Sequence, residues 1–295
     1  MPPKPGSIGA FLLAARPRTL TASVSPVLVG SAIAWGDDVF ALIPCLAALL
    51  GALWIQIGTN IANDLYDHLR GTDTSARLGP LRAAQSGLLT PDQLRWAMGA
   101  SFLLAALFGV YLIARAGWPI AIAGALAIAS GIAYTAGPRP LGYVGMGDLF
   151  VFIFFGPVAV CGTYYVQARG LGLEALLASL PIGLLTTAIL VVNDVRDIES
   201  DTRAGKRTLP VRFGRNFGLV EYAILIVVSY LWLFFMAYLA GDGWLVLPWA
   251  SFPLALVLIK DFFHTAPGPE LNRLLARTGQ LLLLYSVLLG LGYLA

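Results

Sequence analysis

Apolar residues fill long stretches of the 295-residue chain, and polar residues are gathered into short interruptions between them. A helix that crosses a bilayer needs about 20 mostly apolar residues. On that measure the pattern predicts spans near 19–35, 40–62, 94–114, 118–136, 147–167, 173–193, 217–240, 244–259 and 275–295. The expectation is an all-α, polytopic bundle of nine transmembrane helices, forming one domain over residues 1–295. Nine is odd, so the termini belong on opposite faces. The short connectors at 36–38, 115–119, 168–172 and 241–243 share one face. The long connectors near 63–93, 137–146, 194–216 and 260–274 share the other with the N-terminus. Pro26, Pro44, Pro157, Pro181 and Pro253 lie inside predicted spans, where a proline leaves a carbonyl unpaired and bends the axis.

Composition agrees with this reading. The chain is 58% hydrophobic and 12% charged, about half the charged fraction of a soluble domain. Charge then orients the bundle. Of 19 Lys and Arg, only Arg115 and Arg169 fall on the short-loop face. The positive-inside rule therefore predicts a cytoplasmic N-terminus and cytoplasmic long loops, with the C-terminus outside. The acids lean the same way, 12 of 16, so that face reads as a polar working surface over a hydrophobic bundle. Trp35, Trp118, Trp244, Tyr164 and Tyr165 read as anchors at the outer boundary, and Tyr66, Trp96 and Tyr143 as anchors at the inner one. Cys45 and Cys161 sit in apolar runs and imply neither a disulfide framework nor a soft-metal site. No cleavable signal is apparent, and no nucleic-acid partner is expected.

The candidate chemistry lies where two even-numbered spans reach the long-loop face. The string N-D-x-x-D occurs at Asn63–Asp67 and again at Asn193–Asp197, 130 residues later. If the sixth helix continues, Asn193, Asp197 and Asp201 share one face at i, i+4 and i+8. Asn60, Asp64 and Asp67 share a face at i, i+4 and i+7 in the same way. A solvated loop is the bland reading of either stretch, but a second copy at an equivalent topological position weakens it. Two facing carboxylate groups repel unless neutralised. Oxygen-only ligands suit Mg²⁺, which is commonly shared between a few carboxylates and the phosphates of a ligand. Basic residues follow each motif: Arg70, Arg77 and Arg82 after the first, and Arg203, Lys206, Arg207 and Arg212 after the second. They suit phosphate oxygens. A diphosphate with a lipid tail is the predicted ligand.

With these motifs the chain resembles the UbiA superfamily of intramembrane aromatic prenyltransferases. The second motif, Asn193–Asp201, is complete. The first departs from the family pattern, with Gly71 where an acid is expected and the acid arriving at Asp73. That departure is similar to the 1,4-dihydroxy-2-naphthoate polyprenyltransferase branch of menaquinone synthesis. So are the strings ARPRTLTASVSPVLVG at 15–30, RLGPLRAAQSG at 77–87, AYTAGPRPLGYVGMGD at 133–148, FFGPVAVCGTYYVQ at 154–167 and GKRTLPVRFG at 205–214.

The resemblance implies a helix-lined lumen, capped on the cytoplasmic side of a bacterial inner membrane by Asp-rich motifs at 63–73 and 193–201. It implies two Mg²⁺ held by Asn63, Asp67, Asp73, Asn193, Asp197 and Asp201, with Asp64 and Asp194 beside them. Asp64, Asp67, Asp194 and Asp197 are the expected catalytic acids, and Arg77, Arg82, Lys206 and Arg207 the diphosphate ligands. Arg18 and Arg139 are candidates for the acceptor's carboxylate, although both equally suit plain topology charges. Tyr134 is a candidate to orient the acceptor or to face the cation, and Gln56 and Asn60 are candidates for the acceptor or the metal shell. The implied reaction joins a polyprenyl diphosphate to dihydroxynaphthoate with loss of CO₂ and diphosphate. Acceptors such as 4-hydroxybenzoate or homogentisate stay open, and a transporter is the rival from another class. Against a transporter, the acids cluster at one boundary, whereas transport sites lie near the midplane.

Overall fold

The computed structural model describes residues 3–72 and 78–295, and all regular structure among them is helical. In chain order the helices are α1 (Ile8–Ala15), α2 (Thr21–Gly36), α3 (Leu42–Leu69), α4 (Pro91–Ala116), α5 (Trp118–Ala133), α6 (Gly147–Ile153), α7 (Ala159–Ala168), α8 (Leu173–Arg196), α9 (Ile198–Arg203), α10 (Leu209–Phe213), α11 (Arg215–Ala240), α12 (Phe252–His264) and α13 (Leu271–Gly292). Each of the nine predicted apolar segments falls on helix. Seven are long and apolar enough to cross a membrane, counting α6 with α7 and α12 with the 3₁₀ stretch before it. An eighth is the bent pair α1–α2, whose two parts meet at 52° through the 3₁₀ turn Pro17–Thr19. The ninth segment, α5, has 16 residues and is short for a span.

The outward faces explain the solvent this fold requires. Leu103, Leu107 and Val110 on α4 and Ile224, Leu231 and Phe234 on α11 are exposed. In water such a surface would drive aggregation, whereas against lipid tails it costs nothing. The protein is an integral membrane protein. Trp35, Trp118, Trp244 and Trp96 are exposed, as anchors require. Tyr164 departs from that expectation: it is buried and donates to Asp37 Oδ2 at 2.6 Å.

Helix α8 is the spine, with 67% of its apolar stretch buried against 28% for α3. Its Ala178, Ile182, Leu185, Ala188 and Val192 pack at helical spacing into a core with α2, α7, α11 and α13. Small residues allow the close approach. A Cβ on Gly156 would stand 2.7 Å from Ser179 O, and one on Gly183 would stand 2.8 Å from Phe152 O. The chain passes Gly156–Pro157 as a single π turn, Phe154–Val158, between α6 and α7. Proline has no amide to give, so the helix widens there without breaking. A second, smaller core joins α1, α3, α4 and residues 83–89 through Ala10, Leu65, Ala83 and Leu94. The two acidic motifs therefore end helices of different cores.

Candidate active site

A cavity of about 690 Å³ runs along the bundle. Its walls are lined by Gly51, Ala52 and Ile55 on α3, Ala105 and Gly109 on α4, Gly124, Ala127 and Ile128 on α5, and Phe154, Phe155 and Val158 at the π turn. At the far end it is lined by Asn63 and Asp67 from α3 and by Asn193, Asp194, Asp197 and Asp201 from the end of α8 and the start of α9. Gly51 precedes Asp67 by 16 residues, about 24 Å of helix. The chamber is thus apolar along its length and polar at this end among the described residues.

The mouth is assembled from both motifs. On α3 the lining residues Gln56, Asn60, Asn63 and Asp67 recur at three- or four-residue steps. Asp64 is not on that face. Its carboxylate accepts from the backbone N–H of Ala83 at 2.9 Å and of Ala84 at 3.3 Å, so it organises the loop that returns to α4. Asn60 is tied in place by donating to Ala15 O and Thr19 Oγ1, across the bend between α1 and α2. Asn63 accepts from Thr135 Oγ1 at 3.0 Å. On the other side α8 stops at Arg196 and α9 begins at Ile198, so the helix is interrupted for one residue at Asp197. The i, i+4 amide pattern survives the break, with Asp197 N donating to Asn193 O and Asp201 N donating to Asp197 O. The predicted file of three oxygen-bearing side chains therefore reaches the cavity through a kinked helix end.

Cations close the charge balance. Arg82 Nη2 lies 3.6 Å from Asp67 Oδ2, and Lys206 Nζ lies 3.7 Å from the same oxygen and 3.6 Å from Asp201 Oδ1. Lys206 is thus placed between the two motifs. Tyr143, expected as a boundary anchor, lines this mouth and donates to Asp67 Oδ1 at 2.8 Å. Burial and the adjacent Asp67 carboxylate push its hydroxyl far above the ordinary tyrosine value, which keeps the proton available for that bond. Lys206 Nζ lies 4.8 Å from the Tyr143 ring centroid and Arg70 Cζ 5.2 Å, within cation–π range. The loop carrying Tyr143 is fastened from the second motif: Arg207 N donates to Tyr143 O, and Arg212 Nη2 to Val144 O. Gly145 permits this approach, because it has φ +74° and a Cβ there would sit 2.7 Å from Arg207 O.

Of the remaining predicted residues, Arg18 and Tyr134 line the cavity. Tyr134 is seated against Gly142, where a Cβ would stand 2.9 Å from its ring. Arg139 is exposed and Arg207 is turned to the surface, and neither lines the cavity. The exposed Arg139 fits the topology-charge reading, and Arg207 serves the site through its backbone. Asp73 and Arg77 lie outside the described residues. Sequence reasoning missed Arg16, which lines the cavity beside Arg18 from a left-handed backbone at φ 51°. It also missed Arg196, which is 1% exposed and bonded to both Asn193 and Asp197.

Among the described residues, no three carboxylate, histidine or cysteine groups converge closely enough to cage a metal ion. The donor set is nevertheless all oxygen and faces one volume. That fits Mg²⁺, which keeps several waters and takes one or two carboxylates together with ligand phosphates.

The fold and mouth define a class: a helical membrane protein with paired acid-and-base motifs above an apolar chamber. Residues 23–289 match the UbiA prenyltransferase family, and the chain belongs to it. It is 36% identical to the 1,4-dihydroxy-2-naphthoate octaprenyltransferase of Haemophilus influenzae, over 95% of this chain and 94% of that one. It is 38% identical to the enzyme of the same name from Mycobacterium tuberculosis, over 95% of each. Among solved structures, a UbiA homolog from Archaeoglobus fulgidus bound to GPP and Mg²⁺ superposes with a TM-score of 0.67, at 18% identity, covering 97% of this chain and 100% of that one. That likeness establishes the shared fold.

Proposed function

We propose that this prenyltransferase moves a polyprenyl group from its diphosphate to 1,4-dihydroxy-2-naphthoate, with loss of CO₂ and diphosphate, giving demethylmenaquinol. The observation that carries the reading is the placement of Lys206 between Asp67 and Asp201, at the polar end of a long apolar chamber. Asn63, Asp67, Asn193, Asp197 and Asp201, with Asp73, hold two Mg²⁺, and Asp194 lies beside them. The bound metal supplies charge neutralisation for the departing diphosphate. Lys206 and Arg82 take its outer oxygens, Lys206 as a point charge and Arg82 through its planar fork. The apolar walls hold the tail and keep water from the allylic cation that remains once the C1–O bond ionises. Tyr134 faces that cation with its ring or orients the acceptor. Arg18 is the candidate cation for the acceptor carboxylate. The electron-rich ring attacks C1, and decarboxylation restores its aromaticity. No covalent link to the protein is needed.

The same reading makes α5 a ninth span and α1–α2 a broken first one. It places the motif-bearing mouth and the N-terminus on the cytoplasmic side of a bacterial inner membrane, because 17 of the 19 Lys and Arg lie on that side. The test is purified protein in detergent with a long prenyl diphosphate, Mg²⁺ and, in separate arms, dihydroxynaphthoate, 4-hydroxybenzoate and homogentisate. Mg²⁺-dependent prenylation and CO₂ release are expected with the first. Product with another ring and none with dihydroxynaphthoate would refute the acceptor, and no diphosphate release with any acceptor would refute the reaction.

A further inference from the structure

The open position just before Asp197 in the second N-D-x-x-D is occupied by Arg196, which is fully buried. Each of its three guanidinium nitrogens donates. Nε donates to Asp197 Oδ1 at 2.8 Å and Nη2 to Asn193 Oδ1 at 2.7 Å, and Nη2 also reaches Asp197 Oδ2. The remaining nitrogen, Nη1, donates to Asn272 Oδ1 at 2.7 Å. Asn272 stands in the first turn of α13, and its amide donates onward to Leu78 O at 3.1 Å. Leu78 begins the described part of the loop that carries Arg82, and Asp64 of the first motif fixes the Ala83 and Ala84 amides of that loop. A continuous hydrogen-bonded path therefore runs from Asn193 and Asp197, through Arg196 and Asn272, to the loop that sets Arg82 beside Asp67.

This path solves a geometric problem. The two motifs end helices of separate hydrophobic cores. Helices α2 and α7 pack on both α3 and α8, and this path adds a direct polar link at the mouth itself. Asn272 can bridge because one amide side chain both accepts and donates. Arg196 can hold three side chains at once because its donors form a rigid planar fork. Each Asp197 oxygen accepts from Arg196 and keeps further acceptor capacity, so this clamp orients the carboxylate and does not consume it.

We propose that Asn272 is a positioning residue: through Arg196 it sets the second acidic motif against the loop carrying Arg82, and thereby the span available to a metal-bound diphosphate. The inference rests on the reading of Asn193 and Asp197 as metal ligands. Removing groups that orient metal ligands costs roughly 10- to 100-fold in metal affinity or activity, and the loss here falls on one substrate only.

The experiment compares wild type with Asn272→Ala and Asn272→Asp in detergent. Asn272→Asp keeps the side-chain volume and the acceptor toward Arg196, with a charge added there, and it replaces the donor to Leu78 by a carboxylate oxygen that repels the Leu78 carbonyl. Two quantities are read: the Mg²⁺–inorganic diphosphate concentration giving half the maximal thermal shift without other substrate, and the KM for each substrate. Both variants are expected to need about tenfold more Mg²⁺–diphosphate and to raise the KM for prenyl diphosphate by a similar factor, with the acceptor KM unchanged. Should Asn272→Ala fail to fold, Asn272→Asp alone decides. A variant that melts lower but binds diphosphate as wild type does, or one that raises both KM values equally, would overturn the proposal. If wild type itself shows no Mg²⁺-dependent diphosphate release, the functional reading has failed, whereas normal wild type with normal variants sinks only the role of Asn272.

Discussion

Replacing Lys206 by Met separates two tasks that the geometry gives to one side chain. In the substrate-free protein Lys206 Nζ sits 3.7 Å from Asp67 Oδ2 and 3.6 Å from Asp201 Oδ1, and its side chain is 17% exposed. At an effective dielectric near 20 each pair is worth about 4–5 kcal/mol before desolvation, roughly 9 kcal/mol together. Mg²⁺ entering the same acids must displace that attraction. Only a sixth of it surviving desolvation and screening leaves about 1.5 kcal/mol, or about a tenfold change in affinity. The variant should therefore be less stable without metal, yet reach half-maximal Mg²⁺ stabilisation at about one tenth of the wild-type concentration. Its KM for prenyl diphosphate should move the other way. A charge-assisted bond to a phosphate oxygen is worth about 1.5–3 kcal/mol, roughly 10- to 150-fold. Thermal shift against Mg²⁺, followed by steady-state rates at saturating Mg²⁺, reads both. A variant that needs as much Mg²⁺ as wild type, or more, refutes the argument that Lys206 holds the metal's place.

The other outcomes are simpler. Asp67→Asn should abolish turnover with little loss of fold, measured as product by chromatography beside a melting curve; normal turnover removes Asp67 from the site. Asp197→Ala should do more, because it strips a buried Arg196 of its carboxylate at a cost of about 3–5 kcal/mol, so a melting temperature equal to wild type would contradict the observed pair. Arg115→Ala and Arg169→Ala, at the C-terminal ends of α4 and α7 and neither lining the cavity, should keep kcat/KM within about twofold, since substitutions away from special features contribute little. Gly30→Val should destabilise by about 1–3 kcal/mol, because a Cβ at Gly30 already meets Val160 O at 2.5 Å. A normal melting temperature would show that α2 and α7 part more easily than their contact implies.

The sequence disclosed what depends on one dimension. Apolar run length located all nine segments but not the bend that joins α1 to the first of them. The repeated N-D-x-x-D placed Asn63, Asp67, Asn193, Asp197 and Asp201 together at one mouth. What stayed hidden depends on where neighbouring elements happen to pass. Tyr143 looked like any aromatic at a membrane boundary, and only the fold of residues 137–146 brings its hydroxyl to Asp67. Arg196 occupied a position that the motif leaves open. Asn272 is a lone amide 76 residues beyond it, with no pattern to mark it. A helix face also tolerates little error: one residue is about 100°, which separates Asn63 in the cavity from Asp64 behind it.

That separation makes the two copies of the motif unequal in placement, and what the inequality does can be tested at their two matching aspartates. Asp64 and Asp194 hold the same place in N-D-x-x-D, yet Asp194 lines the cavity while Asp64 accepts two backbone amides of the loop before α4. The difference follows from their helices. α8 is surrounded by core on most sides, so the α8 motif has only the cavity to face. α3 lies nearer the edge, and its polar end also has to secure a returning loop. Asparagine at position 64 keeps one oxygen but presents N–H₂ where an amide now donates, leaving one buried donor unpaired at about 1–3 kcal/mol. Asp64→Asn should therefore lower the melting temperature and weaken diphosphate binding through Arg82. Asp194→Asn should leave the melting temperature nearly unchanged and cut kcat. The measurement is a melting curve and a steady-state rate for each variant. If Asp64→Asn were fully stable but inactive, Asp64 would act on substrate directly, and the two halves of the motif would be equal after all.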